Sequence, residues 1–254
     1  MGEGWYRATV ALGRVLFRAL DLRLTIEGIE HLPRSGPVVI AANHIGYLDF
    51  MTVAAAGREC DRWVRFLTRH DVWNVPVAER AMTGMRHVPV DREAPAGAYL
   101  HARRLLSEGE TVAVFPEAGI SHSLTVRALM PGAVRLSQET GAPLVPLVQW
   151  GTQRVWSVGR RPSARRGRRV DLRFGPPLHV PPGADPRACT AELGATLTSM
   201  LDELQRLPHH VPAPGEPATW YPAHLGGHAP DRAAAAALDH VPTTAVPPTW
   251  GSGH

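Results

Sequence analysis

Lysine is absent from this chain of 254 residues, so every one of its 27 basic residues is an arginine. That absence excludes a Walker-type phosphate loop, which needs a lysine at the phosphates, and any Schiff-base chemistry. Glycine-rich dinucleotide loops and internal repeats are missing as well. Cysteine is scarce: Cys60 and Cys189 are too few and too far apart in sequence for a disulfide scaffold, which fits a reducing cytosol. No apolar run approaches the roughly twenty residues that span a bilayer. The stretch from Trp5 to Leu20 lacks a small-residue cleavage site and is not expected to be a signal peptide.

What is present alternates. Strands are expected at 22–29, 37–42, 64–68, 86–90, 111–115, 144–150 and 170–174, from short apolar runs bounded by turn residues. Helical spacing marks 49–56, 77–85, 96–106, 132–139 and 186–207. The order predicts an α/β fold, a mixed, largely parallel central sheet flanked by helices, with an N-terminal amphipathic helix in front. In that first helix Arg7, Arg14 and Arg18 lie approximately opposite Trp5, Leu12, Val15 and Leu16. Such a helix suits a membrane interface, or equally a domain surface with a solvated arginine face. A pI near 9.7 and a net charge of +4 fit attraction to an anionic leaflet.

Residues 1–207 are expected to form one catalytic domain. Residues 208–254, rich in Pro, Ala, Gly and His, are expected to be a largely disordered tail, with Trp220-Tyr221 docking on a surface groove in preference to a membrane interface. His209, His210, His224, His228, His240 and His254 are irregularly spaced with no cysteine beside them, so no metal site is expected.

The chemistry concentrates at predicted strand ends. After the apolar run 37–42 comes Asn43-His44-Ile45-Gly46-Tyr47-Leu48-Asp49, and a helix opens at Asp49. An imidazole titrates near neutral pH, and a carboxylate holding one ring nitrogen leaves the other to take a proton from a hydroxyl. Alone, the pattern also describes a strand-end histidine beside an ordinary helix-start aspartate. A second strand end follows at Phe115-Pro116-Glu117-Ala118-Gly119-Ile120-Ser121.

Together these segments resemble the first and third motifs of the glycerolipid acyltransferase family, whose type member is 1-acylglycerol-3-phosphate acyltransferase. Gly84-Met85-Arg86-His87-Val88-Pro89-Val90-Asp91-Arg92 looks like the second motif and Ala142-Pro143-Leu144-Val145-Pro146-Leu147 like the fourth, all in the family's order. The resemblance implies His44 as general base with Asp49 as its orienter. It implies acceptor binding by Asn43, Glu117 and Gly119, a phosphate contact from Arg92, and Val145 and Pro146 near the acyl chain. It implies acyl-coenzyme A or acyl carrier protein as co-substrate, a lysophospholipid acceptor at a membrane surface, and no separate cofactor or nucleic-acid partner. A peripheral or monotopic place on the cytoplasmic face of the membrane follows from the family's substrates.

The third motif departs from the family pattern. Ala118 replaces the usual glycine, so either Gly119 takes over the turn or the turn tolerates a methyl group; an alanine at positive φ would be strained. Ile120 and Met130 stand where cations are common, and Arg127 or Arg86 is expected to compensate. Lysophosphatidate remains the leading acceptor, beside another lysolipid or a catalytically silent lipid-binding role. The densest basic run, Arg160 to Arg169, has no interleaved aromatics, which disfavours nucleic acid; headgroup or coenzyme A phosphates, or a solvated hairpin tip, remain.

Overall fold

The run Val38-Val39-Ile40-Ala41-Ala42, rich in β-branched residues, follows Gly36-Pro37 and forms β2 (Val38–Ala42), a strand buried on both faces. It is the centre of the sheet in a computed structural model that describes residues 3–91, 94–239 and 248–250. The other strands are β1 (Arg23–Glu27), β3 (Val64–Arg69), β4 (Val88–Val90), β5 (Thr111–Val114), β6 (Leu144–Trp150) and β7 (Arg169–Phe174). The helices are α1 (Gly4–Ala19), α2 (Asp49–Glu59), α3 (Pro76–Gly84), α4 (Ala96–Ser107), α5 (Gly132–Thr140), α6 (Pro186–Gln205) and α7 (Arg232–Ala236).

Spatial order in the sheet is β1-β7-β6-β2-β5-β3-β4. Every neighbouring pair is parallel except β6 with β7. The sheet is therefore mixed and largely parallel, as expected. Its central strand β2 is flanked by β5 and β6, so their three carboxyl ends lie side by side, the place where open α/β sheets carry their sites.

Period-two alternation divides the core. Val39 and Ala41 face Leu105, Leu136, Leu197 and Leu201, while Val38, Ile40 and Ala42 face Val53 and Ala56 of α2. Helix α1 docks through Tyr6, whose hydroxyl donates to the Val64 carbonyl at 2.7 Å, and through Gly13, where an added Cβ would lie 3.1 Å from Met51. Beneath its start, buried Arg65 pairs with Glu3 at 2.6 Å and Glu110 at 3.1 Å. The outward face of α1 leaves Leu12 69% and Val15 60% exposed.

The expectation of a largely disordered tail is not met at residues 208–239. His210, Ala218, Tyr221, Ala229 and Ala235 are all buried, and the Tyr221 hydroxyl donates to the Gln205 carbonyl at 2.9 Å. Few large apolar residues are needed, because small alanines seat closely and the many Pro and Gly fix the turns, Gly226 at φ 87° among them. Trp220-Tyr221 docks as expected, with the Arg154 guanidinium 3.8 Å over the Trp220 ring. His240 and His254 lie outside the described residues.

Candidate active site

β2 delivers His44 into the turn before α2. Its Nδ1 lies 2.9 Å from Asp49 Oδ2. The same oxygen accepts the Ile45 and Gly46 N–H groups at 2.7 and 2.9 Å, and Thr152 donates its hydroxyl to Oδ1 at 2.5 Å. Asp49 is fully buried at the first turn of α2, where a carboxylate is favoured by the helix dipole. These bonds hold the carboxylate in one orientation, which in turn fixes the ring and leaves Nε2 on the side away from Asp49. Phe115 stacks on the imidazole, ring centroids 4.3 Å apart.

Glu117 arrives from the carboxyl end of β5. Its Oε1 accepts the His44 N–H at 2.7 Å and its Oε2 the Arg127 N–H at 3.0 Å, so it ties two turns together. Full burial pushes its carboxyl up to about 8, against the pull of those two N–H groups and of Arg127. The N–H groups of His44, Ile45, Gly46 and Tyr47 are all committed to protein acceptors.

The other expected site residues divide. Asn43 is wholly buried; its amide donates to the Gln149 carbonyl at 3.2 Å and accepts the Gln149 N–H at 2.8 Å, so it splices β2 to β6 rather than facing a ligand. Gly119 follows Glu117 in the turn, but the left-handed position there is taken by Ala118, at φ 54°. The turn thus carries the methyl group. Arg127 sits beside Glu117 and its guanidinium is 3.4 Å from Asp239. Val145 and Pro146 pair with Ile40 and Ala41 inside the sheet; Val145 packs in the layer of Val53 and Phe66. Arg92 lies outside the described residues. Arg86 does not reach the site: Glu108 and Glu110 hold it at the opposite, amino-terminal edge of β5.

Sequence reasoning missed Thr152, Gln149, Ser157 and Phe115. Ser157 donates its hydroxyl to the Ile45 carbonyl at 2.6 Å, and Gln149 accepts from Thr52 at 2.6 Å. Phe115 alone had a signal, being adjacent to the Pro-Glu turn. Beneath α1 a cavity of about 80 Å³ is lined by Val10, Phe17, Phe50, Met51, Ala54 and Phe66. Phe66 links it to the site, standing 6.3 Å from both Phe115 and Phe50, centroid to centroid.

One grouping among the described residues has the makings of a metal site: Asp171, His209 and His210, with ligand atoms within 4.8 Å of one another. Both imidazoles point Nε2 at Asp171 Oδ2, at 2.6 and 2.5 Å. Burial alone would raise the Asp171 carboxyl, but hydrogen bonds from His210, His209 and Thr25 outweigh it and hold it at about 2; burial lowers His210. A metal on Nε2 would leave the His210 Nδ1 proton buried with no partner, whereas ligating imidazoles donate that proton to an acceptor. The group reads as a hydrogen-bonded knot tying the segment after α6 to β7.

The model of the acyltransferase family matches residues 23–150. The chain is 29% identical over 161 residues to a chloroplastic 1-acyl-sn-glycerol-3-phosphate acyltransferase of Arabidopsis thaliana, covering 62% of this chain and 44% of that one. It is 30% identical over 138 residues to a chloroplastic enzyme of the same name from Brassica napus, covering 53% and 39%. The match thus spans less than half the length of either curated relative. The crystal structure of the 1-acyl-sn-glycerophosphate acyltransferase of Thermotoga maritima has the same fold, with a TM-score of 0.66 at 21% identity over 79% of this chain and 80% of that one.

Proposed function

The chain belongs to the acyltransferase family, and from that premise we propose that it moves a fatty acyl group from acyl-coenzyme A or acyl carrier protein to the hydroxyl of 1-acylglycerol-3-phosphate or a related lysophospholipid. The observation that carries this reading is the imidazole of His44, held by a carboxylate whose two oxygens are both engaged. A thioester is already activated, so no protein nucleophile is required. His44 Nε2 takes the proton of the acceptor hydroxyl as its oxygen bonds to the thioester carbonyl carbon. Collapse of the tetrahedral intermediate breaks the carbon–sulfur bond, and the imidazolium returns the proton to the leaving thiolate. General-base help of this kind contributes about 10²- to 10⁴-fold, the rest coming from positioning.

The oxyanion of that intermediate takes its hydrogen bonds from outside residues 44–47, whose N–H groups are spoken for. The cavity beneath α1 shares Phe66 with the ring stack Phe66–Phe115–His44 and suits the apolar end of an acyl chain, with Val145 in the same layer as Phe66. The loop between β6 and β7 brings exposed Arg161, Arg165 and Arg166 to the same edge of the sheet as His44, a charge suited to the phosphates of the donor.

No helix among the described residues is long and apolar enough to cross a membrane. The exposed Leu12 and Val15, flanked by exposed Arg7, Arg14 and Arg18, support peripheral attachment to an anionic leaflet.

The test is thiol release and product mass with acyl-coenzyme A across lysophosphatidate, glycerol-3-phosphate, lysophosphatidylcholine and monoacylglycerol, with acyl carrier protein as second donor. Product on lysophosphatidate that vanishes in His44→Ala is expected; activity surviving that substitution refutes the mechanism.

A further inference from the structure

Close to Glu117, the chain itself supplies an anion to two of its own donors. Asp239, just beyond α7, places Oδ1 2.7 Å from His122 Nδ1 and 3.4 Å from both the His122 N–H nitrogen and Arg127 Nη1. The three side chains are 9%, 18% and 7% exposed, so the carboxylate is enclosed. Donors from a guanidinium, an imidazole and a backbone N–H converging on one anionic oxygen form the kind of seat that also receives a phosphate oxygen. It adjoins the proposed chemistry closely: Arg127 donates its N–H to one oxygen of Glu117, whose other oxygen holds the N–H of His44.

The C-terminal segment is fastened around this turn. Arg232 Nε reaches Thr125 Oγ1 at 3.3 Å, and the Leu129 N–H donates to the Trp250 carbonyl at 3.0 Å while Thr249 returns a bond to Leu129 at 2.9 Å. Ile120 and Met130 are uncharged and Arg86 is turned away, whereas Arg127 lies beside Glu117 and shares Asp239 with His122. The Arg127 guanidinium is answered from within, by Asp239.

The geometry points to Asp239 as a specificity-determining residue that fills the anion seat of the acceptor site, so that a phosphate monoester binds by displacing it. This rests on the acyl-transfer reading for its consequence, though not for its test. A phosphate brought to the donors that Asp239 Oδ1 already takes meets a like charge in an enclosed place, and the resident carboxylate therefore weighs against lysophosphatidate relative to an acceptor without that charge.

Two measurements on the full chain need no turnover. In calorimetric titration, Asp239→Asn should bind inorganic phosphate about tenfold tighter than the wild type, the loss of one charge-assisted competitor. In hydrogen exchange on the wild type, inorganic phosphate should speed the amides of Leu238 and Asp239, both bonded to the Ala235 carbonyl, relative to chloride at equal ionic strength. Unchanged phosphate affinity in a folded variant overturns the proposal; should the variant not fold, unchanged exchange in the wild type does so. Where turnover is present, Asp239→Asn should raise the ratio of kcat/KM for lysophosphatidate over monoacylglycerol about tenfold. A merely structural latch would move both acceptors alike, which also refutes the assignment. If no acceptor yields His44-dependent product while phosphate affinity rises, the acyl-transfer reading fails and the anion seat stands.

Discussion

Thr152, 103 positions beyond Asp49 in the chain, donates its hydroxyl hydrogen to Asp49 Oδ1 at 2.5 Å. A hydrogen bond to a buried carboxylate contributes about 1.5–3 kcal/mol, and its loss frees the carboxylate to rotate away from His44. Thr152→Val should therefore lower kcat by about 10- to 100-fold with little change in KM, while Thr152→Ser recovers most of the rate. Equal rates in Thr152→Val and wild type would show that Oδ1 needs no partner.

Asp49→Asn tests the same carboxylate from the other side. The amide nitrogen cannot accept from both backbone N–H groups and the ring, so the turn keeps its shape poorly and the imidazole loses its tautomer. A fall in kcat of at least about 10²-fold is expected, read by thiol release beside far-ultraviolet circular dichroism to establish folding.

Ala118 stands at φ 54°, where a Cβ meets the neighbouring carbonyl oxygen. Ala118→Gly relieves that strain at the cost of a more flexible unfolded chain, leaving a net gain of about 0.5–1 kcal/mol in urea unfolding. A destabilised glycine variant would show that the turn is relaxed as it is.

His87 is buried under α1, and its Nδ1 accepts the Phe66 N–H at 3.2 Å. Burial, helped by the charge of Arg65, lowers it from 6.5 to about 3. The unfolded chain takes up this proton below 6.5 and the folded chain only near 3, so stability is lost as pH falls through that window. The slope from this group approaches about 1.4 kcal/mol per pH unit. His87→Gln, which keeps an acceptor for Phe66, should flatten the pH dependence of the denaturation midpoint between pH 6 and pH 4, roughly the centre of that window; an identical slope would place the acid sensitivity elsewhere.

Leu12→Glu with Val15→Glu puts two charges on the outward face of α1, away from Tyr6 and Gly13. Binding to anionic vesicles should weaken at least about tenfold in sedimentation, with the melting temperature unchanged. Undiminished sedimentation would assign the face to solvent.

Strand and helix positions were legible because each short apolar run is closed by a turn residue: β6 begins at Leu144 and ends at Trp150 as expected, and α5 and α6 begin at their expected residues. That His44 and Glu117 meet followed from their places at strand ends, while Arg92, expected to converge with them, lies outside the described residues. Thr152 and Gln149 were not legible, since a hydroxyl or amide after a strand has no pattern until β6 is known to lie beside β2. Nor was Asp239, because composition describes the tail's lack of bulk and says nothing of a hydrogen bond formed across 117 residues to His122. The buried Arg65 pair likewise joins Glu3 and Glu110 through space alone.

The bonds from Thr152 to Asp49 and from Ser157 to Ile45 set a minimum length for a working unit. A fragment cut after Trp150 would contain the whole stretch matched by the family, 23–150, and every residue of the His-Asp turn. It would still lack the two hydroxyls that clamp that turn from outside. Transplanting the motif with its strand therefore moves the reactive groups without their alignment, and a portable version of this site has to carry the connection from β6 as far as Ser157.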